Sequence, residues 1–493
     1  MRNSNYFHSV APAVRKVIEL VEANTDDSYI VGGFIRDYFL GKSNFADMDI
    51  AVHGNGFEIA RNICSQLGAG FSFAPLDEEY GCGRIIINDS PFGVVDISSF
   101  KAKTIHEDLM RRDFTVNAIA VSLSSFALTG LRQIYDPLDG LADITGRVIR
   151  ACSQNSIQDD PLRILRAYRF AGHLGFSMDQ GLLSLIKGSM GELKRVAGER
   201  IRDELFLILS QPNASEVLKK MEDILLVSAL FPEVEAMKGR QQNRYHRLDV
   251  WDHSLECVRQ LENLTVFKED IAERCFGDHS DTIRDYLDFE VCPGRNRYWL
   301  IKLACLFHDS GKPAVRTRDA KGIVHFYSHE KWSGLIFDHH AEKLRLSKKE
   351  HELVSLLIRG HMRMGSLTTT EPSKRFKFRL LDRFQDDVIA LSLVFIADLR
   401  ASDGPARNQR HLQMALDGVK RILETRFALE QNPVQPYLDG YDLMSIFKIS
   451  QGRLIGYILR TLKEKQALGI INSRQEALEA VQGILEVAIR KFG

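Results

Sequence analysis

A chain of 493 residues exceeds what one hydrophobic core sustains, and roughly two to four domains are expected. Its 44% hydrophobic and 26% charged residues match a soluble globular protein, and a formal net charge of +0 excludes a nucleic-acid partner held by a global positive field, leaving local basic patches. The seven cysteines (Cys64, Cys82, Cys152, Cys257, Cys275, Cys292, Cys305) form no C-x-x-C pair, and there is no apolar leader or bilayer-length apolar run. A zinc ribbon, a disulfide framework and a membrane partner are therefore not expected, and a reducing cytoplasm is.

Residues 11–24 carry apolar side chains at Val14, Val17, Ile18 and Val21, the spacing of an amphipathic helix. Tyr29-Ile30-Val31 then approaches Gly32-Gly33, and Phe34, Tyr38 and Phe39 predict a helix that Gly41 stops. Gly32 and Gly33 sit at that helix start, where free backbone N–H groups and the helix dipole favour a phosphate. Asp47 and Asp49 enter an apolar strand running to Val52. Strand residues two apart share a face, so the two carboxylates converge, and a divalent cation is the usual reason to tolerate that. A phosphate cradle beside paired carboxylates points to a nucleotide and Mg²⁺.

Residues 57–68 predict a second helix, closed by Gly68. Arg84–Asn88 and Phe92–Ile97 read as a hairpin around Asp89-Ser90-Pro91, with Asp96 on its second strand. Asp96 is either a third carboxylate at the same pole of the sheet or a strand-end cap. Arg111-Arg112-Asp113 precedes Thr115 and Asn117 in a run read as helical. Asp113 there is an N-cap, or the group as a whole reads a ribose and neutralises a triphosphate. Asp136–Gly140 and Asp143–Gly146 read as turns. Past residue 150 the strand signals end: Asp159-Asp160-Pro161 opens a helix bearing Arg163, Arg166 and Arg169, and Glu199-Arg200 opens another.

These motifs (G-G-F-I-R-D, D-M-D, V-D-I, R-R-D-F-T-V-N-A, D-D-P-L-R-I-L-R, E-R-I-R-D-E-L) resemble, in order and spacing over residues 28–210, those of class II tRNA nucleotidyltransferases and bacterial poly(A) polymerases. The resemblance implies an α+β fold: a small mixed-sheet, palm-like head, then an all-helical neck, body and tail. It implies Mg²⁺ on Asp47 and Asp49 with Asp96 as a further catalytic carboxylate, and Gly32, Gly33 and Arg36 around the triphosphate. Arg111, Arg112 and Asp113 are implied at ribose and phosphate, with Asn117, Arg166 and Arg169 completing the nucleotide-binding set. Asp160 and Arg163 match the pair that imitates a base-pairing edge for CTP or ATP. The family's usual Glu before that pair is here Asp159.

The second half carries His253, adjacent His308-Asp309, His329, His361 and Asp398 on segments read as helices. Imidazoles and carboxylates from several helices suit a metal pocket in a helical bundle. Their order looks like the HD metal-dependent phosphohydrolase superfamily over residues 245–405, and the imidazole-rich set implies Mn, Ni, Co, Fe or Zn. Lys238–Arg247 and Lys374–Arg379 interleave cations with aromatics, as an RNA-backbone surface or a solvated face does. The expected division is head 1–150, neck 151–235, HD region 236–405 and helical tail 406–493. The favoured activity is addition of CMP, AMP or both to the 3′ end of tRNA. The rivals are a poly(A) polymerase and an RNA-binding regulator with only the HD hydrolase active. Nothing in the pattern fixes an oligomeric state.

Overall fold

The computed structural model describes residues 12–42, 45, 47–88, 93–129, 133–240, 242, 247–265, 276–402, 409–431 and 435–492. The turn expected at residues 89–91, Phe92 and half of the basic segment Lys238–Arg247 lie outside these. The chain forms two compact units, Met1–Gln211 with Asp223–Leu230, and Pro212–Glu222 with Phe231–Gly493.

In the first unit, helix α1 (Pro12–Asn24) buries Val14, Val17, Ile18 and Val21 as their spacing requires. Strand β1 (Ser28–Val31), helix α2 (Gly33–Phe39), strand β2 (Asp47–Val52) and helix α3 (Gly56–Leu67) follow. Next come strands β3 (Phe71–Asp77), β4 (Cys82–Ile87) and β5 (Val94–Ser99), helix α4 (Ile105–Met110) and strand β6 (Ala120–Ser122). The sheet order is β3-β4-β5-β2-β1-β6, with β2 and β5 parallel and the other neighbours antiparallel. Side chains alternate across it. Met48, Ile50, Val52, Ile85, Val95 and Ile97 are buried on one face, while Asp47, Asp49, Arg84 and Asp96 fall on the alternate positions. Helix α3 lies close on the sheet, since a Cβ at Gly56 would meet Gly81 O at 2.7 Å.

Three local expectations change. The run after Asp113 is a single 3₁₀ turn (Thr115–Asn117) leading into β6, because pairing with β1 claims residues 120–122 for the sheet. Residues 140–146 form helix α5 (Gly140–Gly146), not a turn, with the Asp136 carboxylate accepting from the Gly140 and Leu141 N–H groups. A short helical turn, Ser156–Asp159, ends at Asp160 in extended backbone before Pro161, which disfavours helix in the residue it follows. Helix α6 (Arg163–Leu174) starts beyond the proline, and helix α7 (Gly198–Leu209) packs on it.

The second unit is built mainly of helices: α8 (Val250–Thr265), α9 (Arg297–Phe307), α10 (His329–Lys343), α11 (Lys348–Gly360), α12 (Lys374–Phe384), α13 (Val388–Ala401), α14 (Gln409–Gln431), α15 (Arg453–Ala467) and α16 (Arg474–Phe492). Every residue from Val388 to Ala397 is buried, so α13 is the axis on which α8, α9, α11 and α14 pack. Leu443, Ile455, Ile458, Leu462 and Val481 form a separate core near the C-terminus. Among the described residues, two-stranded ladders interrupt the helices of both units: 148–149 with 177–178 in the first, and 290–292 with 295–296 and 317–318 with 324–325 in the second. They are too short to leave a periodic signal. Among the described residues no helix is long and apolar enough to cross a membrane.

Candidate functional site

The first unit gathers its chemistry at one end of β2 and β5. In the parallel register Asp49 stands beside Asp96, and across the antiparallel pair Val31 stands beside Asp49. The chain leaves β1 through Gly32, whose φ of 71° favours glycine. A Cβ there would lie 3.5 Å from Asp49 Oδ2 and 3.6 Å from Arg112 Nη1, so the glycine keeps the space before the carboxylate open. Burial, then the charge of Asp96, pushes the Asp49 carboxyl up to about 6 against the pull of Arg112. A carboxylate held there at a cost in repulsion, with Asp47 exposed beside it, is a donor set suited to a hard divalent cation.

Arg84 was not foreseen. It reaches across from β4 and grips Asp96 with both arms, Nε to Oδ1 at 2.7 Å and Nη2 to Oδ2 at 2.8 Å. The signal was present: a charged residue at the head of an otherwise apolar strand, in register with Asp96.

Behind this pole runs one buried network. Arg36 Nη1 donates to Asn117 Oδ1 at 2.6 Å, and Asn117 Nδ2 donates to Asp113 Oδ1 at 3.1 Å. Asp113 Oδ2 accepts from Arg166 Nη2 at 2.6 Å, and Glu204 joins Arg166 (3.4 Å) and Arg169 (2.7 Å). The guanidinium groups of Arg36, Arg166 and Arg169 face the Phe170 ring at 5.4, 5.4 and 4.2 Å. Asp113 is thus neither an N-cap nor on the surface: both its oxygens are occupied. Burial would raise it, but the Arg166 guanidinium and two N–H donors hold it below the usual carboxylate range. Glu204 is a second residue that sequence reasoning missed.

Arg112 pairs with Asp108 at 3.1 Å, and Arg111 donates to Lys101 O. Arg163 lies on the backbone of the same segment, donating to Arg111 O (2.8 Å), Arg112 O (3.2 Å) and Ser156 Oγ (2.9 Å). Asp160 accepts from Arg200 at 2.8 Å and from the Leu162 N–H. The two side chains each have their own partners.

The second unit brings all six expected metal-ligating residues together. His253 on α8 meets Asp398 on α13 with Nε2 3.0 Å from Oδ1. His308 ends α9, and its Nε2 lies 3.2 Å from Asp309 Oδ2. Asp309 Oδ1 lies 3.2 Å from His329 Nε2 and 3.8 Å from His361 Nε2. Two ligand groups result, His253/His308/Asp398 and Asp309/His329/His361. The Nδ1 atoms of His308, His329 and His361 each lie 2.7–2.8 Å from a carbonyl oxygen three residues back (Cys305, Phe326, Ile358). A carbonyl only accepts, so Nδ1 carries a proton in each, and in the neutral ring Nε2 presents its lone pair inward. His329 Nε2 and His361 Nε2 face each other at 3.1 Å, and with both rings neutral their lone pairs meet at a point where a cation fits. Burial, with His308 beside it, pushes His361 down to about 3, the neutral form that binds metal. Buried Lys312 lies 2.5 Å from Asp309 Oδ2 and 2.6 Å from Gln242 Oε1, a partner of the cluster that the sequence pattern does not single out.

The geometry agrees with the relatives of this chain. A profile described as "Poly A polymerase head domain" matches residues 28–150, and one described as "Probable RNA and SrmB- binding site of polymerase A" matches residues 175–238. An A-adding tRNA nucleotidyltransferase of Deinococcus radiodurans is 30% identical over 92% of this chain and 94% of its own length. A CC-adding tRNA nucleotidyltransferase of Geobacter sulfurreducens is also 30% identical, over 95% and 94%. The fold matches a solved CCA-adding enzyme in complex with ATP at a TM-score of 0.61, 22% identity, and coverage of 98% and 97%. Paired strand carboxylates beside a glycine turn, on a chain matched along nearly its whole length, identify this protein as a member of the tRNA nucleotidyltransferase family.

Proposed function

We propose that the first unit adds CMP, AMP or both to the 3′ end of tRNA, using CTP and ATP, in the cytoplasm. The observation that carries this is Asp49 in register with Asp96, facing the open turn at Gly32 and the Arg112 guanidinium. The relatives at 30% identity are named for A addition and for CC addition, and solved neighbours are titled as complexes with CTP and with tRNA. Asp47 and Asp49 would hold Mg²⁺, with Asp96 as the further carboxylate. The ion would neutralise the triphosphate and favour ionisation of the attacking hydroxyl. The RNA 3′-oxygen bonds to the α-phosphorus, the α–β phosphoanhydride bond breaks, and pyrophosphate leaves.

The residues behind the pole position this reaction. The Gly32–Gly33 turn and Arg112 meet phosphate oxygens. The Arg36–Asn117–Asp113–Arg166–Glu204 network fixes the segment that carries Arg111 and Arg112. Asp160 and Arg163 would exchange their present partners for the edge of the incoming base. The division at about residues 150, 235 and 405 assigns these parts to a head and neck.

The second unit is proposed as an independent HD-type phosphohydrolase holding a transition metal on His253, His308, Asp309, His329, His361 and Asp398. The inward lone pairs of His329 and His361 support this. The deciding experiment supplies each NTP separately to tRNAs lacking the whole CCA end, its last two nucleotides, or the terminal A. Addition that arrests at a completed CCA end supports the reading; repeated AMP addition to other RNAs means poly(A) polymerase. No incorporation from any NTP, with hydrolysis alone, means the regulator.

A further inference from the structure

Helix α12 and the 3₁₀ segment His361–Thr368 line an open-sided cavity of about 410 Å³ in the second unit, bordered by Arg363, Ser373, Arg375, Phe376, Arg379, Leu380, Arg383 and Phe384. Four guanidinium groups therefore surround one concavity whose floor is aromatic and aliphatic. Arg375 and Arg379 share a single carboxylate, Glu464, at 3.2 and 3.0 Å. Asp382 is engaged by Arg460 at 2.7 Å and faces Lys463 at 4.0 Å. Arg363 and Arg383 have no carboxylate partner among the described residues. The Arg383 guanidinium, on an exposed side chain, is held below its usual range by partial desolvation and by the charges of Arg363 and Arg460. Crowded like charges of this kind are costly, and an anion relieves the cost.

We propose that this cavity is a binding site for a phosphate-bearing ligand, separate from the nucleotidyl-transfer pole and from the HD cluster. The planar fork of arginine matches two phosphate oxygens at once, which surface lysines do not. The volume lies within the range of small-ligand pockets and exceeds one inorganic phosphate. The rings of Phe376 and Phe384 supply an apolar floor for a base or ribose next to the phosphates. That floor is anchored: a Cβ at Gly360 would stand 2.6 Å from Phe384 Cζ, so the ring packs on the turn that leads into His361. Phosphate of this kind comes from two sources, the backbone of bound RNA or a free polyphosphate such as a nucleotide.

The test uses the full chain with Arg363→Ala and Arg383→Ala combined. Both side chains are exposed, and circular dichroism is used to check that the fold is unchanged. A second variant, Lys348→Ala with Lys349→Ala, removes the same charge from exposed positions on α11. Two titrations are run on each: inorganic tripolyphosphate in EDTA, and a tRNA transcript across a salt series. A free-polyphosphate site predicts tripolyphosphate binding about tenfold or more weaker in the arginine variant alone. An RNA-backbone site predicts that the log–log salt slope for tRNA falls by roughly one to two in that variant alone. Either result supports the pocket and names its source. If the arginine and lysine variants are indistinguishable in both titrations, the proposal is overturned.

Discussion

Arg84 clasps Asp96 through two parallel hydrogen bonds of 2.7 and 2.8 Å, neutralising the carboxylate nearest Asp49 in the sheet. The clasp separates two needs of the site. Three acidic side chains must converge, and the strands that carry them must remain paired before any cation arrives.

Arg84→Ala should therefore cost stability most where no metal is present. The pair is partly exposed, with 37% and 19% of the two side chains accessible, so the loss is about 1 kcal/mol. Thermal unfolding is measured in EDTA and in excess Mg²⁺. The midpoint should drop in EDTA and recover with Mg²⁺; an equal drop in both would mean that the arginine only ties two strands.

Asp113 and Arg166 set a pH dependence. The Asp113 carboxyl is held below its unfolded value of about 3.9, so its contribution is complete above that pH. It is lost as pH falls through the lower folded value. Asp113→Asn should destabilise the first unit by about 3 kcal/mol at neutral pH, since it leaves Arg166 without its closest charge. It should also flatten the stability profile below about pH 4. Urea titrations across pH check both; parallel profiles for the two proteins would contradict the assignment.

Base choice tests Arg163 and Asp160. If Arg163 leaves its carbonyl partners to meet the incoming base, Arg163→Ala should cost about 1–3 kcal/mol of discrimination. That is a tenfold to roughly hundredfold relaxation among the four NTPs. Unchanged relative rates with a lowered unfolding midpoint would instead confine Arg163 to supporting Arg111, Arg112 and Ser156.

The two units should carry separable metal requirements. Mn²⁺ or Ni²⁺ should raise the unfolding midpoint of the second unit, through a stabilisation of about 2.7 kcal/mol at a hundred times Kd. Asp309→Asn, which keeps shape while removing a ligand charge, should abolish that rise and any metal-dependent phosphoester hydrolysis. Nucleotide addition should continue at the wild-type rate. Joint loss of both activities in a folded variant would refute independence.

What the sequence made legible follows physical range. Asp47-Met48-Asp49 announces a half-buried strand by alternation alone, and the α+β head with a helical remainder follows from where alternation stops. The six HD-type ligands were recognisable because their order resembles a known pattern, although His253 and Asp398, 145 positions apart, meet only in the folded bundle. The long-range partners were hidden. The immediate neighbours of Asp113 offer a cap or a ribose-reading group, yet its decisive contact is Arg166 at a separation of 53. Arg84, Glu204 and Lys312 sit on segments whose local pattern is explained without them, so nothing local asks for their charge. Asp136 illustrates the same limit at short range: turn chemistry was visible, but not the helix it caps.

The most direct test of the central claim is nucleotide incorporation by Asp49→Ala. A tRNA lacking its CCA end is incubated with CTP and ATP in Mg²⁺, and the unfolding midpoint of the variant is measured alongside. Removing this half-buried carboxylate relieves its repulsion with Asp96, so the fold should be retained or slightly stabilised in EDTA. Incorporation should fall by roughly a thousandfold or more, the scale set by losing a group that fixes transition-state charge. Incorporation at the wild-type rate by folded Asp49→Ala would contradict the assignment of this pole as the site of nucleotidyl transfer.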